Sequence, residues 1–137
     1  MRAKRPAVQI DIGPRPIRLE PLTRLMEDPA SGAVSVFVGR VRAERGSGKD
    51  FALRYEAYEP LARKTLEGFS RTALTKHGAR KVLIQHRTGI LRVGEPSVLV
   101  AVAAAHRKEA FVACRYLIDS LKKEAPIWKT PVRRGAR

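Results

Sequence analysis

A helix near the C-terminal end, stopped by a proline, constrains this chain more than any other feature. From Arg107 to Glu124 the residues Ala110, Phe111, Cys114, Leu117, Ile118 and Leu121 recur at the spacing of one helix face. An apolar stripe of this kind has to be covered by another layer of the fold. Pro126 ends the pattern, because the residue before a proline is driven out of the helical region. The segment Ile127-Trp128-Lys129 is therefore expected to leave extended. Lys122 falls on the last helical turn and Lys129 just beyond the exit, so a sharp turn can bring two amines to one place.

The layer that covers this helix is written as alternating strands. Val8 to Ile12 alternates until Pro14 and Pro16 interrupt it, and Leu19 to Glu27 is a short helix closed by Asp28-Pro29 and Ser31-Gly32. Ala33 to Arg42 is a strong strand, with Val34, Val36, Val38, Arg40 and Arg42 on one face and Phe37 and Val41 on the other. Phe51 to Tyr58 is a second, with Leu53, Tyr55 and Ala57 on one side. Glu59-Pro60 opens a helix whose face is Ala62, Leu66, Phe69 and Ala73, and His77-Gly78 ends it. Lys81 to His86 is a strand. Gly89 to Leu91 and Ser97 to Ala104 read as a hairpin-like pair around Val93-Gly94-Glu95-Pro96. This order predicts an α+β domain with a largely antiparallel sheet and two or three packed helices.

At 137 residues the chain suits a single domain, 1–137, with basic ends at 1–6 and 132–137 expected to be disordered. One cysteine, Cys114, excludes an internal disulfide framework, and its position on the apolar helix face makes it a packed thiol. The three histidines have no paired ligand spacing, so neither a metal nor a bound cofactor is expected. No apolar run reaches the roughly 20 residues of a membrane span, and no apolar core follows the basic first residues. A cytoplasmic protein is the expectation.

A net charge of +15 draws the chain toward anions: nucleic acid, anionic lipid, phosphorylated metabolites or an acidic protein. Nucleic acid is the weaker choice. The basic residues are scattered, and Tyr55, Tyr58 and Trp128 form no obvious stacking platform. The stretch Gly46-Ser47-Gly48-Lys49 fails as a phosphate loop, since Ala43 and Asp50 stand where glycine and Ser or Thr are needed. It reads as an ordinary flexible loop whose lysine, with Arg45, can close over an anion. Arg40 and Arg42 offer planar forks suited to phosphate. His106-Arg107 sits where a strand gives way to a helix, and free N–H groups at a helix start favour anions. Lys122 alone fits an ordinary helix C-terminus. Lys129 does not, because it follows the apolar Ile127-Trp128, and a partly desolvated amine becomes usable as acid, base or nucleophile.

Five segments in order now carry a family resemblance: Gly39-Arg40-Val41-Arg42, Tyr55-Glu56-Ala57-Tyr58-Glu59-Pro60, His86-Arg87-Thr88-Gly89, Ala105-His106-Arg107, and Leu121-Lys122 through Pro126-Ile127-Trp128-Lys129. Together they resemble the large, catalytic subunit of molybdopterin synthase, the MoaE type, from about Gly32 to Lys129. The resemblance implies an α+β sulfurtransferase of molybdenum cofactor biosynthesis. Its substrate is cyclic pyranopterin monophosphate, converted to the dithiolene of molybdopterin. The sulfur donor is a small ubiquitin-like carrier with a C-terminal Gly-Gly thiocarboxylate, bound to a homodimer within a heterotetramer. It also implies Lys122 and Lys129 as catalytic residues and Arg40, Val41, Arg42, His106, Arg107 and Thr130 as substrate-binding ones.

The chain departs from the family pattern at Pro131, where an acidic residue is usual, and in a short basic Val132-Arg133-Arg134-Gly135-Ala136-Arg137 end. Ala104 and Ala105 replace a capping serine and a proline before His106, and a lost cap costs a helix roughly 1 kcal/mol. These changes bear on the rim of the pocket. The alternatives are a relative that binds the carrier without turnover and a small basic nucleic-acid-binding protein.

Overall fold

The strand Pro96–Ala104 explains the architecture, because every residue from Ser97 to Ala104 is buried. A strand dry on both faces needs neighbours on both edges and cover above and below. The computed structural model, which describes residues 6–44, 46, 48 and 50–132, supplies all of these. In chain order the elements are β1 Val8–Gly13, α1 Leu22–Leu25, β2 Ala33–Arg40, β3 Ala52–Ala57, α2 Glu59–Lys76, β4 Ala79–Arg87, β5 Gly89–Arg92, β6 Pro96–Ala104, α3 Arg107–Glu124 and β7 Ile127–Val132. A four-stranded sheet runs β1-β4-β6-β2, and a three-stranded sheet runs β5-β3-β7. All pairings are antiparallel except β1 with β4. The fold is α+β.

Alternation along β6 divides the core. Val98, Val100 and Val102 meet Ala62, Leu66 and Ala73 of α2 and Ala113, Cys114, Leu117 and Leu121 of α3. Leu99, Ala101 and Ala103 meet Met26 and Leu83, with Ile17, Leu22 and Leu25 packed behind. A third cluster, Val41, Phe51, Leu53, Tyr55 and Leu91, fills the inner face of the small sheet. Cys114 lies in the core, its Sγ 3.7 Å from the Val100 carbonyl oxygen, and burial pushes the thiol pKa up.

The structure corrects several expectations. Gly89–Leu91 and Ser97–Ala104 do not pair with each other. Gly94, at φ 93°, sits in a turn that hands the chain from one sheet to the other, so β5 joins β3 while β6 joins β4 and β2. The strand beginning at Ala33 stops at Arg40, not Arg42, because its register shifts between Gly39 and Arg40. The first helix shrinks to a single turn. Phe111 is 65% exposed, and Ala113 takes its place in the buried stripe of α3. The extended exit after Pro126 is a strand, β7, and Val132 pairs with Ala52 within it rather than being part of a disordered end. Residues 1–5 and 133–137, and Arg45, Ser47 and Lys49 of the glycine-rich loop, lie outside the described residues. Among the described residues no helix is long and apolar enough to cross a membrane.

Candidate active site

β7 is what brings the two amines together. It pairs with β3 so that Lys129 stands opposite Tyr55, on the face that turns toward the core. α3 starts beside the Ala33–Ala104 pair and runs back over β6 and β2. Its last turn, carrying Lys122, therefore ends near the Arg40–Pro96 pair and beside the small sheet. Lys122 is accessible to solvent, yet desolvation still pulls its proton affinity below the usual lysine value, and the charge of Lys129 adds to the effect. A long stem against protein with its amine at a cavity mouth behaves this way.

Two buried rings lie next to the β7 strand, Tyr55 as the cross-strand neighbour of Lys129 and His86 against Tyr55. Tyr55 is 6% exposed and His86 is 3% exposed, and their ring centroids are 5.4 Å apart at 59°. His86 Nδ1–H donates to the Arg87 carbonyl oxygen at 2.8 Å, which fixes the tautomer because a carbonyl can only accept. Burial first, and the nearby charge of Lys122 as well, lower the His86 pKa to about 4, so the ring is neutral at physiological pH. Sequence reasoning placed Tyr55 on one side of its strand and His86 at a strand end but gave neither ring a place in the site. The available signal was the period of β4, which puts His86 on the same face as the buried Val82 and Ile84.

The Arg40-Val41-Arg42 segment is held at this same end by its middle residue. Val41 is buried, its N–H donates to the Glu95 carbonyl at 3.0 Å, and its own carbonyl accepts from Gly94 at 2.7 Å. With Val41 pinned on both sides, the exposed Arg40 and Arg42 flank a fixed point at the end of the large sheet. Thr130 alternates with Lys129 and so occupies the opposite face of β7.

His106 and Arg107 lie elsewhere. They open α3 at its far end, where the helix rise sets Arg107 about 22 Å from Lys122. There they line a shallow cavity of about 590 Å³ with Gly32, Ala33, Ala105 and Lys108. His106 occupies the N-cap position without a side-chain cap, in keeping with the alanines that precede it. Gly32 N–H donates to the carbonyls of Ala104 and Ala105 at 3.0 and 3.2 Å. A β-carbon at Gly32 would stand 2.7 Å from the Ala105 carbonyl oxygen. Gly32→Ala is therefore expected to cost about 1–3 kcal/mol, read as a lower urea midpoint, as overpacking against backbone does. A larger cleft of about 630 Å³ along β1 is lined by Asp11, Arg15, Arg63 and Arg87, touches His86, and contains neither lysine. Among the described residues no three His, Cys, Asp or Glu side chains cluster as metal ligands.

Comparison with known proteins gives consistent matches. The family model described as MoaE protein matches residues 12–124. A molybdopterin synthase catalytic subunit from Nostoc sp. is 45% identical over 115 residues, 83% of this chain and 70% of the relative. The crystal structure of molybdopterin synthase from Staphylococcus aureus superposes with a TM-score of 0.84 at 35% identity, covering 92% of each chain. A complex of subunits 1 and 2 of molybdopterin-converting factor from Helicobacter pylori gives 0.76 at 26% identity, covering 96% of this chain and 88% of that one.

Proposed function

The chain belongs to the MoaE family, the catalytic subunits of molybdopterin synthase, and from that premise we propose the reaction it carries out. It moves sulfur from the C-terminal thiocarboxylate of a small ubiquitin-like carrier onto cyclic pyranopterin monophosphate, building the dithiolene of molybdopterin. The observation that supports this reading is that β7 seats Lys129 opposite Tyr55, near enough to Lys122 for its charge to act on that amine. Sulfur attack on the pterin side chain needs proton transfers and stabilised oxyanions. Lys122, with its lowered proton affinity, contacts the incoming tail and exchanges protons with the reacting atoms. Lys129 anchors the phosphate or relays a proton. Arg40 and Arg42, steadied by Val41, bind phosphate as planar forks. A chain of charge +15 also speeds encounter with an anionic tail and an anionic precursor. The two-subunit complex from Helicobacter pylori supports a small partner.

His106 and Arg107 enter the site through a second copy of the chain. About 22 Å of helix separates them from Lys122 within one protomer, so a shared site needs a partner protomer's helix start. Support for self-association comes from β2, a sheet edge that exposes Val34, Val36 and Phe37, beside Phe111 and Val112 exposed on α3. A strongly charged chain with an apolar edge of that size is suited to pairing there. Two such protomers with two carriers make the heterotetramer.

The direct test mixes the purified chain with the cyclic precursor and thiocarboxylated carrier and follows dithiolene formation. No product from a folded, carrier-bound chain would sink the reading. Hybrid dimers test the shared site. Chains carrying His106→Ala with Arg107→Ala, and chains carrying Lys122→Ala, should each be inactive alone. Mixed, they should regain up to about a quarter of normal activity, since half the dimers are hybrids and each has one intact site of two. No recovery on mixing would confine the site to one protomer.

A further inference from the structure

We propose that Arg87 and Glu95 are positioning residues for the precursor-binding arginines: the pair fixes the turn between β5 and β6, and that turn holds the Arg40-Val41-Arg42 segment in place. The inference rests on the reading of Arg40 and Arg42 as phosphate forks given above.

The turn and the first residues of β6 grip the segment at three backbone points. The Ser97 hydroxyl donates to the Gly39 carbonyl at 3.3 Å, the Glu95 carbonyl accepts the Val41 N–H at 3.0 Å, and the Gly94 N–H donates to the Val41 carbonyl at 2.7 Å. These bonds fall where the register of β2 on β6 shifts, between Gly39 and Arg40. Beyond Arg40 the ladder has ended, and the turn takes over as the backbone partner of Val41.

The turn is itself a closed unit. The Glu95 N–H donates to the Arg92 carbonyl at 3.0 Å, and the Glu95 carboxylate accepts the Arg92 N–H at 2.6 Å. Because β5 and β6 leave for different sheets, no ladder between them sets where this unit stands. Arg87 supplies that tie. One of its terminal nitrogens lies 3.4 Å from the Glu95 carboxylate, and the other donates to the Pro14 carbonyl at 3.3 Å. A single planar fork thus joins the end of β4, the exit of β1 and the turn. The Arg92 N–H first, and Arg87 as well, hold the Glu95 carboxyl below the usual carboxylate range.

Packing alone does not call for an arginine at position 87. Its side chain is only 13% exposed, and its Nε is buried with no hydrogen-bond partner among the described residues. An aliphatic side chain would avoid that cost. What it lacks is two donors that reach two separate segments. The gain is stiffness beside the site. A guanidinium that meets a phosphate through two parallel bonds loses much of its value when its backbone drifts by about 1 Å.

The test uses Glu95→Ala and Arg87→Met in the full chain. Amide hydrogen exchange, read by NMR on the isotope-labelled chain without carrier or precursor, reports the grip directly. The Val41 N–H should exchange about 10-fold faster in both variants, while the Val100 N–H in the middle of β6 keeps its wild-type rate. With saturating thiocarboxylated carrier, the KM for the precursor should rise about 10- to 100-fold while kcat changes by less than about 3-fold. In a chain that already carries Arg40→Ala with Arg42→Ala, adding Glu95→Ala should leave the KM where it is, because the groups it positions are gone. If Glu95→Ala fails to fold, Glu95→Gln takes its place. Wild-type Val41 exchange or a wild-type precursor KM in folded variants overturns the inference. So does an undiminished effect of Glu95→Ala in the chain without the two arginines. A normal precursor KM in that chain before Glu95 is touched would instead remove the phosphate role of Arg40 and Arg42, while the Val41 exchange still decides whether Arg87 and Glu95 hold the segment.

Discussion

Replacing Lys122 by alanine is expected to slow dithiolene formation by about 10²- to 10⁴-fold, the range over which a positioned proton-transfer group acts. The melting temperature should hardly move, because the side chain is accessible to solvent and makes no ion pair. Lys122→Arg should rescue little. A guanidinium keeps the charge and holds its proton at any working pH, so it cannot exchange one with the reacting atoms. Lys129→Ala should differ in kind. If its main work is to anchor phosphate, the loss falls chiefly on KM for the precursor; if it relays a proton, the loss falls on kcat. Steady-state rates with saturating carrier and varied precursor separate these outcomes, and near-normal turnover in both alanine variants would refute the assignment of the pair.

The second large effect is on stability in acid. His86 holds a pKa of about 4 in the folded chain against an ordinary value of 6.5, because burial disfavours its charged form. Above pH 6.5 the ring is neutral in both folded and unfolded chains, and the group has no effect on the slope. Between 6.5 and about 4 the unfolded chain binds the proton and the folded chain does not, so stability falls as pH falls. The loss from this group sums to about 3 kcal/mol and is complete near pH 4. Asp28 acts in a lower window. Its hydrogen bonds from Arg80 and Ser31 bring its pKa from 3.8 to about 2, so its stabilisation is present above 3.8 and lost as pH falls toward 2. Urea titrations from pH 7.5 to 4 should therefore show a declining unfolding free energy, and His86→Phe should flatten that decline. An equal decline in a folded His86→Phe chain would show that the histidine is not its source.

Local pattern carried much of the fold. The helix faces of α2 and, Phe111 apart, of α3, the inward set Leu53, Tyr55 and Ala57, and the stop at Pro126 follow from period, capping and proline chemistry, which act over a few residues. Pairing was less legible. A turn at Gly94 between two apolar runs has the look of a hairpin, but whether those runs bond to each other depends on what else offers an edge. Here β3 takes β5, while β4 and β2 take β6. The parallel partnership of β1 with β4 is likewise invisible to alternation, which reads the same in either direction.

The candidate site divides along the same line. Residue chemistry by itself determined that Lys122 and Lys129 are the amines to watch, since a helix end, a proline and an apolar step of two residues bring them close by covalent reach. Five short segments in order also determined the family. Only the tertiary structure decided that β7 seats Lys129 opposite Tyr55, that His86 lies buried and uncharged against Tyr55, and that His106 and Arg107 stand a full helix away. The reason is physical: a side chain's spacing along the chain sets which face it occupies, whereas its charge state and its neighbours depend on desolvation and on strands that arrive from distant parts of the sequence.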